Sequence, residues 1–208
     1  MTDYARRERR LLADLLLDKG PDAPTLCTGW TTRDLAAHLV IRERRLDTLG
    51  AGLRSVRRRL DGARRATAAR PYPEVVGEMR RPPWWSPLSN PLADELFNGL
   101  EFFIHHEDVR RAGAQWQPRA LEPGQQGALW RGVRFTGRIG LRKLGFPVAV
   151  RGAGLGEFVV GGTEPQVTIT GDPGELALFL SGRQRVARVE VDGPPELAER
   201  LRTARLGL

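Results

Sequence analysis

Sulfur and imidazole are scarce in this sequence: one cysteine, Cys27, and three histidines, His38, His105 and His106. A single cysteine excludes an internal disulfide framework and a thiolate-rich zinc site, and it fits a reducing compartment. Lysine is scarce too, with Lys19 and Lys143 alone, so the formal charge of +8 rests on arginine. Such a bias is explained as well by codon composition as by ligand choice. No apolar run approaches the ~18 residues that a membrane span needs, and the stretch Met1-Thr2-Asp3-Tyr4-Ala5-Arg6-Arg7 lacks an apolar signal core. The expected compartment is therefore the cytoplasm, with no membrane partner. There is no Walker sequence, no Gly-x-Ser-x-Gly and no Cys-x-x-Cys. The glycines of Gly152-Ala153-Gly154-Leu155-Gly156 lie between strand-like runs and read as a hairpin, not a nucleotide loop.

What is present is an ordinary globular composition, 40% apolar and 28% charged. Leu11, Leu12, Leu15 and Leu16 recur at helical spacing from Tyr4 to Leu17, and Gly20-Pro21 stops the run. A second helix is expected from near Thr31 to about Leu49, presenting Leu35, His38, Leu39, Arg42 and Leu46 on one side. One or two basic helices are expected between Arg54 and Arg81, broken at Pro71 and Pro73. In the loop after them, Trp84 and Trp85 are placed to cover a pocket mouth. A helix from about Pro91 to Ala112, capped by Gly113, and another from Gln125 to Leu144 complete the helical part. Beyond Gly145 the texture turns to short β-branched runs: Pro147–Val150, Gly156–Gly161, Gln166–Gly171 and Arg188–Val191. Helices are expected at Asp172–Leu180 and Pro194–Ala204. The fold class is thus α+β in two parts, a helical domain over 1–145 and a small α+β domain over 146–208.

Glu101 and His105 are four apart, which on a helix puts both side chains on one face about 6 Å apart along the axis. With His38 from the second helix they could form a triad of two imidazoles and a carboxylate. Such a set binds divalent metals with positions left open and leaves the ion one net positive charge. Spacing by itself fits a hydrogen-bonded helix-face pair and a core histidine better than a metal site. Asn98, Glu101, His105 and Asp108 fall at steps of three, four and three, a polar stripe that needs an ion or a dense hydrogen-bond network if buried. Asp108 is placed either to orient His105 from the following turn or to pair with nearby arginines. His106 points about 100° away from His105, which suits a residue behind the cluster or on the surface, and its chemical candidacy is as a proton shuttle. Cys27 has nothing basic beside it in the sequence and reads as packing rather than a reactive thiol. Trp30 reads as core at the start of the second helix.

Two blocks carry a family resemblance. Cys27-Thr28-Gly29-Trp30-Thr31-Thr32-Arg33-Asp34-Leu35-Ala36-Ala37-His38-Leu39 and Glu101-Phe102-Phe103-Ile104-His105-His106-Glu107-Asp108-Val109 together resemble the metal-binding domain of the mycothiol-dependent maleylpyruvate isomerase family, within the DinB-like superfamily. The resemblance implies a DinB-like four-helix bundle in up-down-down-up order, with His38, Glu101 and His105 as ligands of a divalent metal, expected to be zinc. The second block further resembles an uncharacterised metal-binding branch for which no substrate is implied. Family members also tend to carry a C-terminal domain similar to sterol carrier proteins, which Gly171 to Gly193 fits. By that likeness Arg183 is a candidate contact for an anionic substrate, against the plainer role of a helix cap.

Three functions follow as expectations. The first is a metal- and low-molecular-weight-thiol-dependent transferase or isomerase, with mycothiol as candidate cosubstrate and a small electrophile as substrate. The second is a non-catalytic metal or ligand-binding module. The third is a nucleic-acid binder built on the arginines between Arg54 and Arg70, but that tract has no aromatic interleaving or base-reading motif, and a solvated helical face explains it better.

Overall fold

The computed structural model describes residues 4–44, 54–81 and 98–207, with the side chains of 54–57 left out. It divides into two compact units, Met1–Pro118 and Arg119–Leu208. In the first unit Leu12, Ala13 and Leu16, spaced to share a helix face, are fully buried on α1 (Tyr4–Lys19). Gly20 ends that helix by taking a left-handed φ of 75°, from which its N–H still reaches the Leu16 carbonyl at 3.1 Å. At the start of α2 (Thr32–Arg44) the backbone N–H and hydroxyl of Thr31 both donate to Asp34 Oδ2 at 3.2 Å, one half of a capping box. The expected continuation of α2 to Leu49 lies outside the described residues.

Helices α3 (Arg54–Ala68) and α4 (Tyr72–Arg80) occupy the basic stretch. One break separates them, not two. Pro71 stands at the N-cap of α4, and Pro73 falls in its first turn, where a missing N–H removes no helical bond. Helix α5 (Gly99–Arg110) carries the polar stripe. Its expected start at Pro91 and the pair Trp84 and Trp85 lie outside the described residues. Arg111 is its C-cap, so Gly113 does not cap it. The core joins Leu12 and Leu16 of α1, Leu35 and Leu39 of α2, Val76 and Met79 of α4 and Phe102 of α5. A buried ion pair crosses it: Arg9 on α1 forks onto both carboxylate oxygens of Glu43 on α2, donates to the Met79 carbonyl at 2.9 Å, and lies 4.3 Å over the Phe102 ring.

The second unit begins with α6 (Pro123–Leu141), extended by a 3₁₀ turn over Arg142–Leu144 and closed by Gly145 at φ 77°. Strands β1 (Val148–Gly152), β2 (Gly156–Val160), β3 (Val167–Gly171) and β4 (Glu190–Asp192) form one sheet in the order β2-β1-β3-β4, with β1 and β3 parallel. The glycine-rich stretch is the β1–β2 hairpin, with Gly152 opposite Gly156 in antiparallel register. Gly152 lets the Trp130 ring pack closely on β1: a Cβ there would lie 3.0 Å from it. Helices α7 (Pro173–Leu180) and α8 (Pro195–Thr203) complete the unit. The compact units part at 118/119, upstream of the division expected near 145. The reason is α6, whose helical period grouped it with the bundle but whose packing is against α7.

Candidate metal centre

Glu101 is the point of convergence. Its Oε1 lies 3.2 Å from His105 Nε2 on the same helix and 3.5 Å from His38 Nε2 on α2. The two imidazoles stand edge to face, with ring centroids 5.3 Å apart. His38, Glu101 and His105 each offer one donor atom within 4.8 Å of the others. The triad expected from sequence is therefore assembled by α2 and α5, one turn of α5 supplying two of its members.

The charges around it are ordered. Arg42, one turn after His38, sets its Nε 3.3 Å from Glu101 Oε1 and donates through Nη1 to Asn98 Oδ1. Burial by itself would raise the Glu101 carboxyl, but Arg42 and hydrogen bonds from His105 and His38 hold it well below the ordinary carboxylate value. At His105 burial works against the charged ring and is outweighed by hydrogen bonds with Asp108, Cys27 and Glu101, which raise it well above the ordinary imidazole value. His38 is lowered, burial prevailing over its bond with Glu101.

Behind His105, Asp108 Oδ2 lies 2.8 Å from Nδ1. A carboxylate only accepts, so Nδ1 is the donor, and Nε2 is the nitrogen turned to Glu101 and His38. Asp108 itself is fully buried. Of its two expected roles, the orienting one matches this contact. The same carboxylate oxygen accepts the Cys27 thiol at 3.2 Å, and Cys27 Sγ is 3.9 Å from His105 Nδ1. The chain's one thiol, read from sequence as packing, thus sits beside a basic group that arrives from 78 residues away. Trp30 is partly buried against the core, as expected, and also faces His38 at 5.0 Å between centroids. Arg64 lies 4.8 Å over the Trp30 ring and pairs with Asp34.

Two other candidates fall elsewhere. His106 is turned toward α1, where its Nδ1 meets Glu8 Oε1 at 2.7 Å with both groups buried. It is not at the surface and is not brought into the cluster. Arg183 lies in the second unit, where it donates to the Ser181 carbonyl at 2.6 Å just past α7, the capping arrangement. Within the arginine tract, Arg64 is committed to Asp34 and Arg70 to Glu78.

Residues 2–83 match the mycothiol maleylpyruvate isomerase N-terminal domain family. The match bears out the resemblance carried by the block from Cys27 to Leu39. Within it lie Cys27, Trp30, His38 and Arg42; Glu101, His105 and Asp108 follow beyond its end, and packing alone brings them to His38. The helical first unit is consistent with the DinB-like bundle that the family implies. No curated protein and no solved structure gives a significant match. Among the described residues, no helix is long and apolar enough to cross a membrane.

The donor set fits a divalent cation. Three donor atoms converge, one imidazole has its other nitrogen committed to a buried carboxylate, and the carboxylate of the triad stays ionised. The expected face of α2 held both His38 and Arg42, four residues apart, but gave Arg42 no part in the site, which its contacts with Glu101 and Asn98 supply.

Proposed function

We propose that this chain is a divalent-metal protein of the mycothiol maleylpyruvate isomerase type, acting as a thiol-dependent transferase or isomerase on a small electrophile. The convergence of His38, Glu101 and His105 from two helices is the observation that supports it most directly. Those three residues would hold the ion, with zinc expected from the two imidazoles and a carboxylate. When bound, the ion supplies the Lewis acidity that lets a coordinated thiol or water ionise near neutral pH. The residues of the chain do the rest. Arg42 keeps Glu101 anionic, and Asp108 keeps Nδ1 of His105 occupied so that Nε2 faces inward. Arg42 also adds a positive charge beside the triad, which favours an anionic nucleophile such as the thiolate of mycothiol. Cytoplasmic placement and a sterol-carrier-like identity for residues 146–208 belong to the same proposal.

The test is elemental analysis of untagged wild-type protein beside a His38→Ala, His105→Ala double variant, followed by assays of thiol transfer. Near-stoichiometric divalent metal in the wild type alone, with thiol-dependent turnover, is the expected result. Metal without turnover would leave a binding module. Failure of the wild type to take up added zinc would overturn the metal reading altogether.

A further inference from the structure

The segment Leu26–Trp30 touches both imidazoles of the proposed metal site, and it does so by two independent routes. At one end the Leu26 N–H donates to the Asp108 carbonyl at 3.0 Å, and the Cys27 thiol donates to the Asp108 carboxylate at 3.2 Å. Main chain and side chain of this loop are thus both tied to one residue of α5. At the other end Trp30 lies against His38, and the Arg64 guanidinium stacks 4.8 Å over its ring. Thr25 Oγ1 closes the loop, donating to the Trp30 carbonyl at 2.8 Å and accepting the Cys27 N–H at 3.2 Å.

The chemistry of the Asp108 contact gives Cys27 a definite task. A fully buried carboxylate is tolerated when donors satisfy it. Asp108 Oδ2 accepts from His105 Nδ1–H and from the Cys27 S–H together. The thiol is the donor in this contact and lies at the edge of His105 opposite Nε2. It is poorly placed to be a nucleophile at the site and well placed to fix the rotamer of the carboxylate that orients His105.

We propose that Cys27 is a positioning residue of the metal site, acting through Asp108 on His105, within a loop whose Trp30 steadies His38. The proposal rests on the metal reading above for its consequence, but its structural content is independent of any ion. The lone thiol is there to donate, and serine, which also donates, can replace it where valine of similar size cannot. Trp30 has the parallel task by ring contact, so the loop sets the distance between the two imidazoles from both sides.

The experiment compares Cys27→Val, Cys27→Ser and wild type by two readouts. The first is exchange with water of the His105 imidazole Nδ1–H in metal-free protein, followed by NMR with 15N-labelled histidine and assigned by its loss in His105→Gln. The second is titration with Co2+, followed by its absorption spectrum. Exchange about tenfold faster in the valine variant, restored by serine, is expected. Cobalt affinity should fall about tenfold in the valine variant, the lower end for residues that orient a ligand, and recover to within about threefold in the serine variant. If valine is not tolerated by the fold, Cys27→Ala takes its place. Equal exchange in wild type and the variant without a donor would overturn the positioning role. Should wild type bind no Co2+, the metal reading fails while the exchange rates still decide the task of Cys27.

Discussion

Tyr72 shows how far a single buried group can set the pH limits of this protein. Its hydroxyl donates to the Leu16 carbonyl at 2.8 Å, and burial, only partly offset by a hydrogen bond with Thr32 and by Arg33, pushes the phenol up from 10.0 to about 12. The folded state therefore holds Tyr72 neutral over a range in which the unfolded chain would ionise. Its contribution is complete below pH 10 and is lost as pH rises toward about 12; two units correspond to ~3 kcal/mol at most. Tyr72→Phe should cost about 1 kcal/mol at neutral pH through the lost hydrogen bond. In urea melts at rising pH that gap should close and then reverse, because the variant has no phenol to keep neutral. A gap constant up to pH 11 would show that burial does not hold the phenol. At this scale the sequence was legible where chemistry is local. Glu101 and His105 share a helix and His38 stands in the second turn of another, so spacing exposed them as candidates. The contacts of Arg42 and Cys27 were hidden because Asn98, Asp108 and His105 reach them across 56, 81 and 78 residues, distances that only packing closes.

Among elements, the Arg9–Glu43 pair does the work of a rivet. Arg9 belongs to α1, Glu43 to α2, the accepting Met79 carbonyl to α4 and the covered Phe102 ring to α5, so one guanidinium ties four helices. Both partners are almost wholly out of water, so removing Glu43 takes from a buried guanidinium the carboxylate it forks onto. Glu43→Ala should therefore destabilise the first unit by about 3–5 kcal/mol. The double change Arg9→Met, Glu43→Leu should cost far less, since it removes both charges and keeps apolar volume. Denaturant midpoints of the two single variants and the double complete the cycle, and additive losses would rule out the coupling. Elements themselves read well from periodicity, because Leu12 and Leu16 of the expected leucines do enter the buried face of α1, though Leu11 is exposed and Leu15 half-buried, and the β-branched runs do become strands. Helix ends read less well. Pro73 signals a break by residue type, yet at the second position of α4 it satisfies the same steric demand without one. Gly113 looks like a cap, yet α5 already closes at Arg111 through the Glu107 carbonyl.

For the whole molecule the decisive helix is α6. Its period announces a helix but not its neighbour, and only the packing of α6 on α7 assigns it to the sheet-bearing unit. That is why texture drew the division near 145 while the compact units part after Pro118. A consequence follows for the first unit alone. Its core cluster runs from Leu12 to Val109, and every residue placed around the metal centre, from Cys27 to Asp108, lies within 1–118. A fragment of residues 1–118 should therefore unfold cooperatively when heated and bind Co2+ with the affinity of the full chain. A fragment of residues 1–83, the length matched by the family, should do neither. It lacks α5, and with it Phe102 and Val109 of the core, the partner that packs along α1, and two of the three expected ligands. Circular dichroism on heating and cobalt absorption measure the two properties separately. A non-cooperative 1–118 fragment would show that the first unit borrows stability from beyond Pro118. A cooperative fragment with weakened cobalt binding would place a determinant of the metal site in residues 119–208.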